Sequence, residues 1–355
     1  MKKRQLFVLI ALLFALYTFI ISRPVPTETV LVMQQLNSLE SNYIFEAAGS
    51  IPASNLVPFE LGNRFGYLDA ESHFTVNQIK KAYLSQSTKY WADYDAVPEA
   101  IEVMDPFGDT VCRITTKVGY PVFLDGRIFL IAKEQNSISA VNEDGSIRWS
   151  YDFATTLTTI DARNGIVAAG LLDGAVEVLN DEGKQLFFYK PGGSRLEVIL
   201  GCALSHDASK LAIISGIDQQ RFLLLEWAGD TYQVNYHEFL GEGLRRAVYI
   251  SFIDNDSHVI FEKNDRLIIY NVSSRSSTSV LLPGKIIELE ESGTDHYLFL
   301  ITANDDKKHF VALRLPGMVI FEAPFTSEHS FLARRDSRLF IGGGSTMATF
   351  EIESM

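Results

Sequence analysis

An all-β ring of repeated four-stranded units is the fold this 355-residue sequence predicts, and three observations predict it. Beyond about residue 56 the chain becomes short apolar runs separated by Asp, Asn and Gly turns, the pattern of strands joined by tight hairpins. Strand-favouring residues, 24 Phe and 14 Tyr among them, are spread through those runs rather than gathered in one segment. The turns also recur: Asp144-Gly145, Glu182-Gly183 and Gly229-Asp230 follow one another at intervals of about 40 residues. Four strands per unit at that period define a single β-propeller.

Three consecutive units align, over 120–153, 157–191 and 198–239. Each reads strand, turn, strand, turn, strand, turn, strand, and glycine at the last turn supplies the positive φ of a tight hairpin. Later units cover 247–283, turning at Ser274-Arg275, and 286–325, turning at Pro316-Gly317. An earlier unit covers 81–114 and turns at Phe107-Gly108-Asp109. The last stretch, 331–354, holds only about three strands, and a ring tolerates no open edge. The expected closure is a strand from 65–79, which makes seven blades; if 42–76 builds a blade of its own, there are eight.

The N-terminus reads differently. Lys2, Lys3 and Arg4 precede an uninterrupted apolar run over 6–21. As a helix that run is about 24 Å long, slightly short of the bilayer's hydrocarbon core. Flanking residues and local thinning absorb the mismatch. Ile20 stands where signal peptidase wants a small residue, so the run reads as an uncleaved transmembrane anchor, with a cleaved signal peptide as the alternative. The positive flank stays in the cytoplasm, and the rest lies outside, in the periplasm or beyond. The expected organisation is therefore a basic tip and anchor over 1–23, a linker over 24–56 beginning at Pro24 and Pro26, and the propeller over 57–355. Residues 27–41 have the mixed composition of a short helix.

Composition narrows the function. With a net charge of −13 and no basic stripe, the chain repels phosphate backbones, so nucleic acid is not an expected partner. Cys112 and Cys202 sit in apolar runs about two blades apart and read as buried free thiols. No CxxC spacing exists, and the seven His never fall at i, i+2 or i, i+4, so no metal site is expected. Asp254-Asn255-Asp256 lacks the Gly and distal Glu of a calcium loop and reads as a hairpin turn. His206 and His258 read as exposed turn residues. GxSxG is absent, and 342–346 lacks the strand-to-helix setting of a phosphate loop.

Several repeats carry a resemblance. SAVNEDGSIRW, 139–149, resembles the quinoprotein-like repeat, with an acidic turn, Gly, and Trp149 four residues later. ALSHDASKLAII, 203–214, is similar to the first hairpin of WD-repeat and Tol-type propellers, and SFIDNDSHVIF, 251–261, echoes it. The resemblance covers roughly 81–353 and implies the propeller fold rather than an activity. Quinone-dependent members of that superfamily hold their cofactor with a stacking Trp, acidic calcium ligands and often adjacent cysteines. This chain has no Cys-Cys pair, and no cofactor is expected. Quinoprotein-like outer-membrane assembly factors are lipoproteins, and no lipid-accepting Cys is present here.

One region is more polar than packing requires: 192–195, 216–221 and 241–246. It supplies the candidate interaction residues Arg195, Asp218, Gln219, Gln220, Arg221, Arg245 and Arg246, arginine being the cation best suited to interfaces. The first and third segments connect successive blades. The second joins inner strands of one blade and is expected on the opposite rim or further out. The leading expectation is a non-enzymatic, membrane-tethered scaffold for an envelope protein. The alternatives are a propeller that binds a glycan or other small molecule in its channel, and an exported enzyme, which would need convergent carboxylates there.

Overall fold

A computed structural model of the protein describes residues 29–40, 52–115, 119–291, 296–304 and 307–354. The transmembrane anchor expected over 1–23 lies outside the described residues. Among the described residues no helix is long and apolar enough to cross a membrane.

The strands form eight separate antiparallel sheets. Blade 1 is Val57–Leu61, Arg64–Leu68 and Phe74–Ile79, three strands among the described residues; blade 2 runs from Tyr83–Gln86 to Thr110–Thr115, and blade 3 from Tyr120–Leu124 to Ile147–Asp152. Blade 4 starts at Leu157–Arg163 and ends at Gln185–Tyr189, blade 5 starts at Ile199–Leu204 and ends at Thr231–Gly241, and blade 6 starts at Ile250–Ile253 and ends at Ser276–Leu281. Blade 7 spans Lys285–Glu291 to Met318–Thr326. Blade 8 is Ser330–Arg335, Arg338–Gly343 and Thr346–Ser354, completed by Thr29–Ser38. The first strands of blades 2 to 6 touch in succession, as do those of blades 7, 8 and 1, so they ring the centre, and blade 1 meets blade 8 there.

Why these strands form blades follows from burial. Each sheet has two apolar faces, and each face needs a neighbour. The buried side chains form eight clusters, and every cluster draws on two adjacent blades. Between blades 5 and 6, for instance, Phe222 stacks on Phe261 with ring centroids 4.7 Å apart and meets Tyr270 edge-on at 5.1 Å. Eight interfaces close a ring of eight blades.

The expectation of seven blades is therefore corrected to the alternative of eight. The segment 65–79 is not the closing strand. Phe59 and Phe74 pack toward Phe331 and Phe340 of blade 8, while Phe65 and Tyr67 pack toward Trp91 of blade 2. A sheet with two buried faces is a blade. Closure comes instead from Thr29–Ser38, inside the segment read as a linker and as a short helix. It pairs antiparallel with the last strand, from Thr29 opposite Ser354 to Ser38 opposite Thr346, with a bulge between Met33 and Gln35.

Two signature residues have structural roles. Trp149 of blade 3 donates its indole N–H to the Asp181 carbonyl at 2.8 Å, in the last turn of blade 4. Its ring lies against Gly183, φ 76°, where a Cβ would sit 2.6 Å from the indole. Glycine there provides both the left-handed turn and the space. Cys112 and Cys202 are free and buried. Asp254-Asn255-Asp256 is the expected hairpin turn, with φ of 54°, 51° and 63°. His258 is not exposed: its side chain is 12 % accessible, held between Asp254, Ser257 and Asn271.

Candidate functional site

The three polar segments lie on one rim, which corrects the expected separation of the second from the others. In an antiparallel four-stranded blade, the connection from the preceding blade and the turn between strands two and three fall at the same end. The connection 191–198 is accordingly laced to the turn 216–219. Gly216 donates to the Val198 carbonyl at 2.8 Å and Ile217 to the Leu196 carbonyl at 3.2 Å. Asp218 is the knot. It accepts the Ser194 hydroxyl, the Arg195 backbone N–H at 3.1 Å, the Arg195 Nε–H at 2.9 Å and the Gln219 N–H at 3.0 Å. The Ser194 hydroxyl and then the Arg195 guanidinium hold its carboxyl well below the usual carboxylate range. Arg195 stands above this platform with 92 % of its side chain exposed.

Gln220 ties the turn to the next connection. It is fully buried, and its Nε2 donates to the Leu244 carbonyl at 3.3 Å. A Cβ on Gly243 would fall 2.1 Å from its Oε1, so that connection passes close only because residue 243 is glycine. Arg221 donates to the Pro191 carbonyl at 3.1 Å and lies over the Phe239 ring at 5.0 Å, with Gly193 beside both. Arg246 is absorbed by packing. Glu262, 4 % exposed, accepts two bonds from it at 2.8 and 3.0 Å and also the N–H groups of Tyr249 and Ile286. Gln219 and Arg245 are exposed.

Three apolar residues that sequence reasoning missed share this rim. Leu172, Leu196 and Phe239 are each more than half exposed. Leu172 sits in the blade 4 turn that abuts the connection, where Asp173 pairs with Lys190 at 2.7 Å. A leucine at the tip of a hairpin turn, where polar residues are usual, was the available signal. The rim thus combines arginine, an aromatic ring and exposed leucines.

The ring centre offers a different chemistry. First strands of blades 4, 5 and 6 line a cavity of about 630 Å³ that includes Asp161, Arg163, His206, Asp256 and Glu291. Those of blades 7, 8, 1 and 2 line another of about 520 Å³ holding Glu60, Glu288, Glu290, Arg334 and Arg335. Burial, and then the charge of Glu60, pushes Glu288 up to about 7. Burial, and then Glu288 and Glu291, does the same to Glu290. Asp161 is also raised by burial while it accepts the Leu204 N–H at 2.8 Å, bridging blades 4 and 5. Burial pushes the Cys202 thiol up to about 12, which makes it inert. Among the described residues no three His, Cys, Asp or Glu side chains are placed to hold a metal ion.

Eight blades, an open centre and a polar rim define a β-propeller. The sequence matches the β-propeller protein family over residues 1–355, and the chain belongs to it. A relative described as an uncharacterized protein, from Treponema pallidum (strain Nichols), is 22% identical over 297 residues, 84% of this chain and 78% of the relative. Among solved structures, BamB from Moraxella catarrhalis is similar with a TM-score of 0.60 at 13% identity, covering 91% of this chain and 100% of that one. Apo AztD from Citrobacter koseri is similar with a TM-score of 0.58 at 14% identity, covering 81% of this chain and 88% of that one. At these identities the likeness shows the fold alone.

Proposed function

We propose that this chain is a non-enzymatic scaffold, tethered to the outer face of a cytoplasmic membrane by its N-terminal span, that binds a protein partner of the cell envelope. The observation that carries the reading is the rim of blades 4 and 5. Arg195 stands exposed on a rigid platform, flanked by Leu172, Leu196 and Phe239. Arginine and aromatic anchors surrounded by apolar contacts are the chemistry of protein interfaces. That rim also lies at the opposite end of the strands from Thr29, where the tether joins, so it faces away from the membrane.

Affinity purification of the full chain from detergent-solubilised membranes tests this. A stoichiometric envelope protein is expected with the native chain and is lost with Arg195→Glu or Phe239→Ala. Recovery of the propeller alone, or a partner indifferent to both substitutions, overturns the reading.

Glu288 and Glu290 favour a second reading, a small-molecule site in the channel. Two carboxylates poised near neutrality suit a hydroxyl-rich or cationic ligand, and they are also the acid/base pair that the enzymatic alternative requires. A ligand of the native state raises the melting temperature. A screen of glycans and polyamines is expected to yield such a shift, abolished by Glu288→Gln with Glu290→Gln; shifts indifferent to that pair would sink this reading.

A further inference from the structure

We infer that the edge of blades 7 and 8 next to the tether docks on the lipid surface, through Met318, Val319, Ile320 and Phe321 with Met33 alongside. This rests on the tethered reading above. The closing strand changes the geometry of that tether. Thr29 already belongs to the propeller, so only the steps from residue 21 to residue 29 separate the expected span from folded protein. Fully extended, those eight steps reach at most about 28 Å. The Thr29 end of the propeller therefore never leaves the neighbourhood of the bilayer, and whatever lies beside it meets lipid at high effective concentration.

What lies beside it is apolar. Thr29 pairs with Ser354 at the end of the last strand, and Ile352 donates to Ser337 in the first turn of blade 8 at 2.7 Å. In blade 7, Leu315 donates to His296, at the end of that blade's first turn, at 2.8 Å, and Met318 starts the outer strand just beyond. Both strands thus begin on the same rim, the one opposite Arg195. Met318, Val319, Ile320 and Phe321 are 36–49% exposed in succession, and Met33 on the neighbouring blade is 60% exposed. Elsewhere on outer strands, exposed apolar residues are separated along the chain, as on any soluble surface. Blade 6, on the other side, ends in Ser276–Leu281, whose first four residues are Ser, Ser, Thr and Ser.

Physical chemistry sets the depth and the lipid. Met318–Thr326 is an edge strand, and among the described residues its outward N–H and C=O groups have no strand partner. Hydrocarbon would leave them unsatisfied, so the strand stays at headgroup level while its side chains reach the acyl boundary. A net charge of −13 opposes anionic lipid, so contact is apolar and insensitive to salt.

The test uses the full chain in phosphatidylcholine vesicles, with a fluorophore on Phe321→Cys, on Met318→Cys or, on the far rim, on Arg195→Cys. Cys112 and Cys202 are buried and stay unlabelled. A nitroxide on the lipid headgroup is expected to quench the probes at 321 and 318 about fivefold more than the probe at 195, and iodide less, at low and high salt alike. Equal quenching at both rims overturns the inference. Shielding of 321 from both quenchers overturns it too, because protein then covers the strand. Flotation separates the premises: a chain that leaves the vesicles at alkaline pH sinks the tether and the docking together, whereas one that floats with equal quenching sinks the docking alone.

Discussion

The connection into blade 5 presents Arg195 with 92 % of its side chain exposed, over an Asp218 that is 21% exposed. The connection into blade 6 presents Arg246, 32% exposed, against a Glu262 that is 4% exposed. Both are arginines beside glycines in loops of the same kind on the same rim. The difference lies in the partner. Asp218 sits on a surface turn, where ion pairs contribute little to stability. Glu262 sits inside a strand of blade 6 and also accepts the Ile286 N–H from blade 7, so its charge is compensated only while Arg246 is present. One arginine keeps most of its side chain in solvent while it pairs with Asp218, and the other is part of the fold.

The largest break in this comparison should come from Arg246→Ala. It leaves a buried carboxylate without its guanidinium, which costs about 3–5 kcal/mol. The fall in denaturation midpoint, followed by tryptophan fluorescence, measures it. Replacing both partners with Arg246→Met and Glu262→Leu is expected to recover most of the loss, since no charge is then stranded. A single-variant loss under about 1 kcal/mol would put Arg246 in the same class as Arg195.

Glycines sharpen the contrast at smaller magnitude. On Gly243 a Cβ would fall 2.1 Å from Gln220 Oε1, and Gln220 is fully buried. Gly243→Ala should therefore push Gln220 off the Leu244 carbonyl, at a cost of about 1–3 kcal/mol. Gly192, in the blade 5 connection, has open space within 4 Å but a φ of +62°. Gly192→Ala meets only backbone strain, about 1 kcal/mol. Thermal unfolding of the two variants ranks them; the reverse order would mean that the blade 5 connection is the more tightly packed.

How far this was legible in sequence depends on the range of the interactions. Blades 2 to 7 were readable because each carries its own strands and its own turn, such as Asp144-Gly145 or Pro316-Gly317. The seam was not. Thr29–Ser38 becomes a strand only by pairing with Thr346–Ser354, and its apolar residues, a run over 30–33 and then Leu36, show no alternation. Blade 1 was underread for a related reason: its two faces rely on Phe331 and Phe340 at one side and Trp91 at the other. On the rim, the polar loops were visible, but their convergence required the strand directions. The fate of Arg246 had one local clue, the buried position of Glu262 directly after the apolar run Val259-Ile260-Phe261 in His258–Lys263. The exposure of Leu196 and Phe239 had none, because neighbouring loops decide what stays uncovered.

The smallest effect on stability belongs to Arg195. Arg195→Ala removes one exposed contact and should leave the melting temperature at neutral pH within about 2 °C of the native value. Acid exposes what remains. Asp218 is depressed in the folded state by the Ser194 hydroxyl and then by Arg195, so the folded state holds its proton less readily than the unfolded chain. That contribution is complete above the ordinary carboxylate pKa of about 4 and is lost as pH falls below it toward the lower folded value. Melting temperature measured from pH 5 to pH 2 should therefore fall less steeply in Asp218→Asn than in the native chain. Arg195→Ala should lie between them, because the Ser194 hydroxyl and the backbone N–H groups still bind the carboxylate. Parallel curves for all three would mean that Asp218 does not anchor this platform, and the rigid presentation of Arg195 to a partner would fail with it.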